Sequence, residues 1–313
     1  MEANMAIYRS LDALIGHTPM LELVNFRRNH ELVASVFAKL ELFNPAGSTK
    51  DRAAKSIIDE AEKSGVLTEG GTVIEATSGN TGIGLAAICA SRGYKLIIVM
   101  PDNMSRERQL LMSAYGAEIV LTDGKLGLGG AIKRAEELAE NIDGAYLARQ
   151  FENRANPQAH KDTTGPEIWE DTDGGVDIFV CCVGTGGTIS GTGEYLKSKN
   201  PDVRIVAVEP SGSPYLSQGI AGSHKIQGIG AGFIPKTLNT EAYDEVVTVT
   251  DEEAYEYAAQ MARCEGILVG ISSGAALCAA SKIAKKPENA GKNIVVLLPD
   301  TGERYLSMGV FDK

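Results

Sequence analysis

The chain has 313 residues, 43% hydrophobic and 23% charged, with 35 glycines and a formal net charge of −11 at pH 7. This length and apolar content support one large α/β unit or two smaller domains whose cores need no disulfide or metal staples. The acidic balance, without any cluster of Lys or Arg, argues against nucleic acid and anionic membrane as partners, and no apolar run approaches the ~20 residues of a membrane span.

In chain order, short apolar runs predict strands at residues 36–42, 72–75, 95–100, 117–121, 178–183, 204–209, 245–249 and 294–298. Helical periodicity falls between them, at 48–64, 81–92, 106–115, 129–141, 157–171, 188–198, 251–265 and 273–284. Such alternation gives parallel sheets with helices on both faces. The pattern breaks near 150–157, a candidate domain boundary, and the polar, Gly-rich stretch 209–235 is long for a βα connection. Loops of that length tend to be functional. The fold class is therefore α/β, as two doubly wound domains with a cleft between them. Cys89, Cys181, Cys182, Cys264 and Cys278 form no CxxC pair and read as free thiols, most of them buried, in a reducing compartment. Met1 to Leu14 lacks the apolar core of a leader, so a cytoplasmic location is expected.

The chemistry begins at Asn44-Pro45-Ala46-Gly47-Ser48-Thr49-Lys50-Asp51-Arg52. Ser48 or Thr49 is placed as an N-cap, with Asp51 in the first turn where a negative charge suits the helix dipole. Lys50 then sits where that dipole disfavours a cation. It is either an ordinary surface lysine or one whose pKa is lowered, so that its neutral amine can condense with a carbonyl.

Three glycine-rich turns follow. Thr77-Ser78-Gly79-Asn80-Thr81-Gly82 leads from a strand into a helix. Gly82-Ile83-Gly84-Leu85-Ala86-Ala87 fits the relaxed GxGxxA dinucleotide fingerprint, with Asp102 about where a ribose-binding acid belongs. Yet Gly82 and Gly84 fall inside the predicted helix. The turn itself is rich in hydroxyls and N–H groups at a helix N-terminus, which suits a carboxylate or other anion. Gly184-Thr185-Gly186-Gly187-Thr188 also joins a strand to a helix. It lacks the spacing of a nucleotide P-loop and fits a single phosphate. Gly270-Ile271-Ser272-Ser273-Gly274 matches the nucleophile elbow GxSxG, but His17, His30, His160 and His224 all lie upstream, against the chain order of α/β-hydrolases. No His/Cys spacing suits zinc, so no metal is expected. A lysine amine, an anion turn, a phosphate cradle and a serine for a ring atom together suit pyridoxal phosphate.

With these residues in view, the chain closely resembles the cysteine synthase/cystathionine β-synthase family of fold-type II pyridoxal-phosphate enzymes. Besides the stretches above, the resemblance runs through Ile15-Gly16-His17-Thr18-Pro19, Gly165-Pro166-Glu167-Ile168-Trp169, Gly228-Ile229-Gly230-Ala231-Gly232-Phe233 and Pro299-Asp300-Thr301-Gly302-Glu303-Arg304-Tyr305. It implies that Lys50 holds the cofactor aldehyde and moves the Cα proton, and that Asn80 bonds the ring hydroxyl. It further implies that Gly184, Thr185, Gly186, Gly187 and Thr188 hold the phosphate and that Ser272, rather than its neighbour Ser273, faces the pyridine nitrogen. Thr77, Ser78, Thr81, Gln150 and Gly228 would bind the substrate, the first four at its α-carboxylate. The implied reaction is β-replacement of acetate in O-acetyl-L-serine by sulfide, through an α-aminoacrylate, to give L-cysteine. The alternatives are cystathionine β-synthase chemistry and formation of hydrogen sulfide and lanthionine from cysteine. The chain ends soon after 303–307 and has no N-terminal haem segment, which weighs against the animal-type cystathionine enzyme. The resemblance also implies a smaller mobile domain (44–152), a larger one (1–43 plus 153–313) and a homodimer. It suggests the C-terminal tail of serine acetyltransferase as a partner, with His224 and Lys225 either helping to dock it or lying in an ordinary solvated loop.

Overall fold

The computed structural model describes residues 7–312. Residues 1–6 and 313, which the sequence-based domain ranges and the leader reading include, lie outside the described residues. In chain order the strands are β1 (Met20–Glu22), β2 (Ser35–Leu40), β3 (Thr72–Ala76), β4 (Lys95–Pro101), β5 (Glu118–Thr122), β6 (Tyr146–Leu147), β7 (Ile178–Cys182), β8 (Arg204–Pro210), β9 (Glu245–Val249) and β10 (Asn293–Leu298). The helices are α1 (Val24–Asn29), α2 (Lys50–Lys63), α3 (Asn80–Arg92), α4 (Arg106–Ala114), α5 (Gly127–Asn141), α6 (Ala155–Ala159), α7 (Gly165–Asp171), α8 (Gly187–Lys199), α9 (Tyr215–Gln218), α10 (Asp251–Glu265) and α11 (Ile271–Ala284).

Two sheets organise these elements. One has six strands in the order β1-β2-β10-β7-β8-β9, the other four in the order β5-β4-β3-β6. All pairings are parallel except β1 with β2, an antiparallel edge that sequence periodicity does not reveal because β1 has only three residues. The central strands read as continuous apolar runs because both faces are covered: Ile294 to Leu298 are buried throughout, and separate apolar cores lie on the two sides of the larger sheet. The smaller sheet is likewise flanked by two cores. Helix α11 is buried nearly all round. Its small residues admit close packing, to the point that a Cβ on Gly274 would stand 2.0 Å from the Ala254 carbonyl oxygen of α10. Helix α10 opens with a reciprocal capping box between Thr250 and Glu253.

Three elements depart from the sequence reading. The strand expected at 36–42 ends at Leu40, and Glu41–Phe43 form a 3-10 turn that leads into the lysine loop. The helix expected at 157–171 is broken into α6, a π-turn over His160–Thr164, and α7, which has Pro166 in its first turn. The long stretch 209–235 contains the short helix α9, pinned by the Glu209 carboxylate, which accepts from the N–H groups of Leu216 (2.7 Å) and Ser217 (3.0 Å).

Candidate active site

Strands in a parallel sheet end at the same edge, so the loops after them gather in one crevice. Here the N-termini of α2, α3, α8 and α11 all face a cleft of about 370 Å³. Its lining includes Lys50, Thr77, Ser78, Asn80, Thr81, Gln150, Gly184 to Gly186, Thr188, Gly228 and Ser272. The predicted site residues, spread over more than 220 positions of sequence, are thus brought together; Gly187 begins α8 immediately beside the lining. Four helix N-termini make the cleft a receptor for anions.

Lys50 opens α2, as its motif predicts. Ser48, not Thr49, supplies the local hydroxyl acceptor: its Oγ accepts from the Lys50 N–H at 3.2 Å, while Thr49 is already helical and its buried hydroxyl has no partner. The Lys50 pKa is lowered, with burial as the leading cause, while the carboxylates of Asp300 and Glu41 act in the opposite direction. Asp51 is not a solvated charge matched to the dipole. Burial raises its carboxyl to about 7, and it pins the loop by accepting from the Ala46 N–H at 2.6 Å. Arg52 lies in a buried ion cluster. Its guanidinium meets both oxygens of Glu41 (2.8 Å each) and both of Glu167 (2.6 and 2.8 Å), and Lys39 bonds Glu167 at 3.0 Å.

The turn after β3 presents Thr77, Ser78 and Thr81 to the cleft. The Thr77 hydroxyl accepts from the Gly79 N–H at 3.1 Å, and Thr81 donates to Gln150 Oε1 at 2.6 Å. Behind Gln150, its backbone N–H meets Glu75, whose carboxyl is pushed up to about 8 by burial. Helix α3 starts at Asn80, one residue earlier than expected, and Gly82 and Gly84 lie inside it, which removes the dinucleotide turn. Gly84 is needed for packing: a Cβ there would stand 3.0 Å from the Lys50 carbonyl oxygen.

The loop from Gly184 to Thr188 is held tightly. Gly186 adopts φ +82°, and a Cβ on Gly184 would stand 2.3 Å from the Gly228 carbonyl oxygen. Asn156 donates to Thr185 Oγ1 (3.0 Å) and to the Gln150 carbonyl (2.9 Å), linking the loop after β7 to Gln150. The Thr188 hydroxyl contacts His160 Nε2 at 3.2 Å. Burial, aided by the charges of Arg52 and Lys50, lowers this histidine to about 3 and keeps it neutral. Ser272 lines the cleft, whereas the Ser273 hydroxyl is buried without a partner. Among the described residues no group of acids, histidines and cysteines could hold a metal ion. The cysteines are free; Cys181 and Cys182 line the cleft, and Cys182 and Cys264 are only partly buried.

Sequence reasoning gave no role to Arg108, Asn156, Asp300 or Arg304. Arg108 donates to the Ser78 carbonyl at 3.0 Å, and Asn80 donates to Asp300 at 2.8 Å while accepting from Arg304 at 2.5 Å. These partners lie far apart in sequence and carry no spacing signal; only the presence of Asp300 and Arg304 in a motif of the resemblance marked them.

The family model for pyridoxal-phosphate dependent enzymes matches residues 11–300. A cysteine synthase of Staphylococcus aureus is 50% identical over 303 residues, 96% of each chain. A cysteine synthase structure from Entamoeba histolytica superposes with a TM-score of 0.96 at 44% identity, covering 100% of this chain and 93% of that one. A hydrogen sulfide-producing enzyme from Fusobacterium nucleatum gives 0.91 at 46% identity, covering 96% and 100%. The chain belongs to the pyridoxal-phosphate-dependent enzyme family, with the fold-type II architecture, and pyridoxal phosphate is its cofactor. The cleft fits that group: it holds a lysine amine of lowered pKa and a loop so tight that a Cβ on Gly187 would lie 2.1 Å from Asn156 Oδ1, which leaves bare backbone at a helix N-terminus for a phosphate.

Proposed function

We propose that this family member is a cysteine synthase, a transferase that converts O-acetyl-L-serine and sulfide to L-cysteine and acetate in amino-acid biosynthesis. The observation that carries the reading is Lys50, its pKa lowered, at the meeting point of the carboxylate turn and the phosphate loop. The 50% identity to a protein named cysteine synthase supports this substrate pair over the alternatives.

The cofactor, when bound, supplies an electron sink for negative charge developing at the substrate Cα. The N-terminus of α8, with the hydroxyls of Thr185 and Thr188, would hold its phosphate; Asn80 and Ser272 would meet the ring oxygen and ring nitrogen. Thr77, Ser78 and Thr81 at the N-terminus of α3, with Gln150, orient the substrate carboxylate, and Gly228, packed against Gly184, adds a further substrate contact. The Lys50 amine takes the Cα proton, acetate leaves from Cβ, and sulfide adds at the same carbon. Ser272 cannot hold a charge at the ring nitrogen as an aspartate would, which tempers the sink and favours β-chemistry.

The smaller sheet falls within 44–152 and the larger within 1–43 plus 153–313, which supports a small domain that closes over bound substrate. Exposed apolar side chains such as Leu110, Leu121 and Leu126 suit burial against a second copy in a homodimer. Docking of a serine acetyltransferase tail and a cytoplasmic location complete the reading; no described helix is long and apolar enough to cross a membrane.

The test is the visible spectrum of the holoenzyme on adding O-acetylserine and then sulfide. A cofactor band that shifts with the first and returns with the second, as cysteine appears, supports the reading. A band that responds only to serine or cysteine moves the assignment to the alternative chemistries. Lys50→Ala should abolish both the covalently bound chromophore and turnover.

A further inference from the structure

We infer that Arg304 and Asp300 are positioning residues that fix which way the Asn80 carboxamide faces, so that an Nδ2–H is what it offers the cofactor's ring oxygen. The inference rests on the reading that Asn80 faces that oxygen.

The donors and acceptors around Asn80 set its orientation. A carboxamide has one acceptor oxygen and one nitrogen with two hydrogens. Arg304 Nη1 donates to Asn80 Oδ1 at 2.5 Å, and Asn80 Nδ2 donates one hydrogen to Asp300 Oδ2 at 2.8 Å. A guanidinium has no acceptor, and a carboxylate has no donor. Flipping the amide would set N–H against a cation and C=O against an anion, so charge at both ends selects one orientation. One Nδ2–H then remains for the cleft. A donor there favours an ionised ring oxygen over a hydroxyl.

Both partners are themselves held. Asp300 is fully buried, and its Oδ2 also accepts from the Tyr305 hydroxyl at 2.6 Å. Its Oδ1 has no partner and would stand 2.0 Å from a Cβ on Gly270, so the carboxylate is wedged against the start of α11. Arg304 Nη2 donates to the Ala46 carbonyl of the lysine loop, and the Thr49 N–H donates to the Pro299 carbonyl at 2.8 Å. The segment from Pro299 to Tyr305 thus ties Asn80 to the loop that carries Lys50.

The test uses the holoenzyme and reads the ratio of the long-wavelength cofactor band (ionised ring oxygen) to the short-wavelength band (protonated oxygen) against pH, together with the dissociation constant of pyridoxal phosphate. Arg304→Met should shift the ratio toward the short-wavelength band and weaken cofactor binding about tenfold, the scale of one charge-assisted hydrogen bond. Arg304→Lys, which keeps a cationic donor, should restore the ratio. Asp300→Asn is isosteric and can present a donor to Asn80; it should shift the ratio in the same direction, and it carries the test if Arg304→Met does not fold. If Asn80→Ala moves the bands while Arg304→Met and Asp300→Asn only lower thermal stability, the inference fails and the reading of Asn80 stands. If Asn80→Ala leaves the bands unmoved, the reading of Asn80 fails and takes the inference with it.

Discussion

Arg52→Ala tests whether the buried ion cluster sets the first turn of the lysine helix. In the wild type the guanidinium meets both Glu41 oxygens and both Glu167 oxygens, and it also reaches Thr163 (3.0 Å) and Thr18 (3.1 Å). Removing it leaves Lys39 paired with Glu167 and Asp171, and leaves the wholly buried Glu41 without a cationic partner. Breaking a buried pair by deleting one partner costs about 3–5 kcal/mol, mostly because the remaining charge is stranded. Against a total stability of about 5–15 kcal/mol this is a severe loss, yet one that can leave a folded protein to measure. The pH dependence carries the sharper test. In the wild type, the Glu41 and Glu167 carboxyls are held below their ordinary value of 4.5, Glu167 at about 2. Their contribution is therefore present above 4.5 and lost as pH falls through the folded values. Without Arg52, burial pushes the Glu41 carboxyl upward, so the variant regains stability as pH falls from neutral and Glu41 takes up a proton. Urea unfolding of the two proteins should show a gap of about 3–5 kcal/mol at neutral pH that narrows toward about pH 5. Glu41→Gln in the Arg52→Ala background should recover part of it. A gap below about 1 kcal/mol, or one independent of pH, would refute the reasoning.

Three further outcomes are expected. Glu75, raised by burial to about 8, binds a proton in the fold that it releases when unfolded, so it costs stability as pH rises from its ordinary 4.5 through 8. Glu75→Gln should therefore match the wild type near pH 5 and unfold at higher urea near pH 8; parallel pH profiles would show that the site does not behave as a buried acid. Gly187→Ala puts a Cβ 2.1 Å from Asn156 Oδ1 and should displace the phosphate loop, weakening pyridoxal phosphate binding by at least about tenfold in equilibrium dialysis; an unchanged dissociation constant would remove the loop from the phosphate site. Thr81→Val deletes the 2.6 Å bond to Gln150 and should raise KM for O-acetylserine by about five- to tenfold with a smaller effect on kcat; a loss confined to kcat would place Thr81 elsewhere in the reaction.

The sequence made legible what depends on local pattern. Apolar runs mark the buried parallel strands, and the hydroxyl- and glycine-rich turns mark the helix N-termini that face the cleft, because caps and close approach demand those residue types. It did not make legible what depends on distant charges. Asn80 and Arg304 are 224 positions apart, and Arg52 and Glu167 are 115 apart, so no window contains either contact. The π-turn at His160–Thr164 was also hidden, since helical periodicity barely distinguishes five residues of wider turn from an α-helix. That turn places His160 between Thr164 and Thr188, at the end of the loop from Gly184 to Thr188.

The cause of the Lys50 shift shows how the two kinds of information combine. The sequence places a cation at a helix N-terminus, where the dipole is worth about 0.3–1 kcal/mol at exposed sites and up to ~2 when partly buried. Taking an ammonium out of water also disfavours its charged form. Burial is the leading cause here, so of the two readings of the motif the lowered amine is the one the structure supports, with removal from water as its main physical source. It follows that the amine's reactivity depends on how firmly the walls are packed around it. Widening the cleft would rehydrate Lys50 and raise its pKa even though α2 and its dipole stayed intact. The contacts that hold these walls together are Thr81 to Gln150, Asn156 to Thr185 and Arg304 to Asn80.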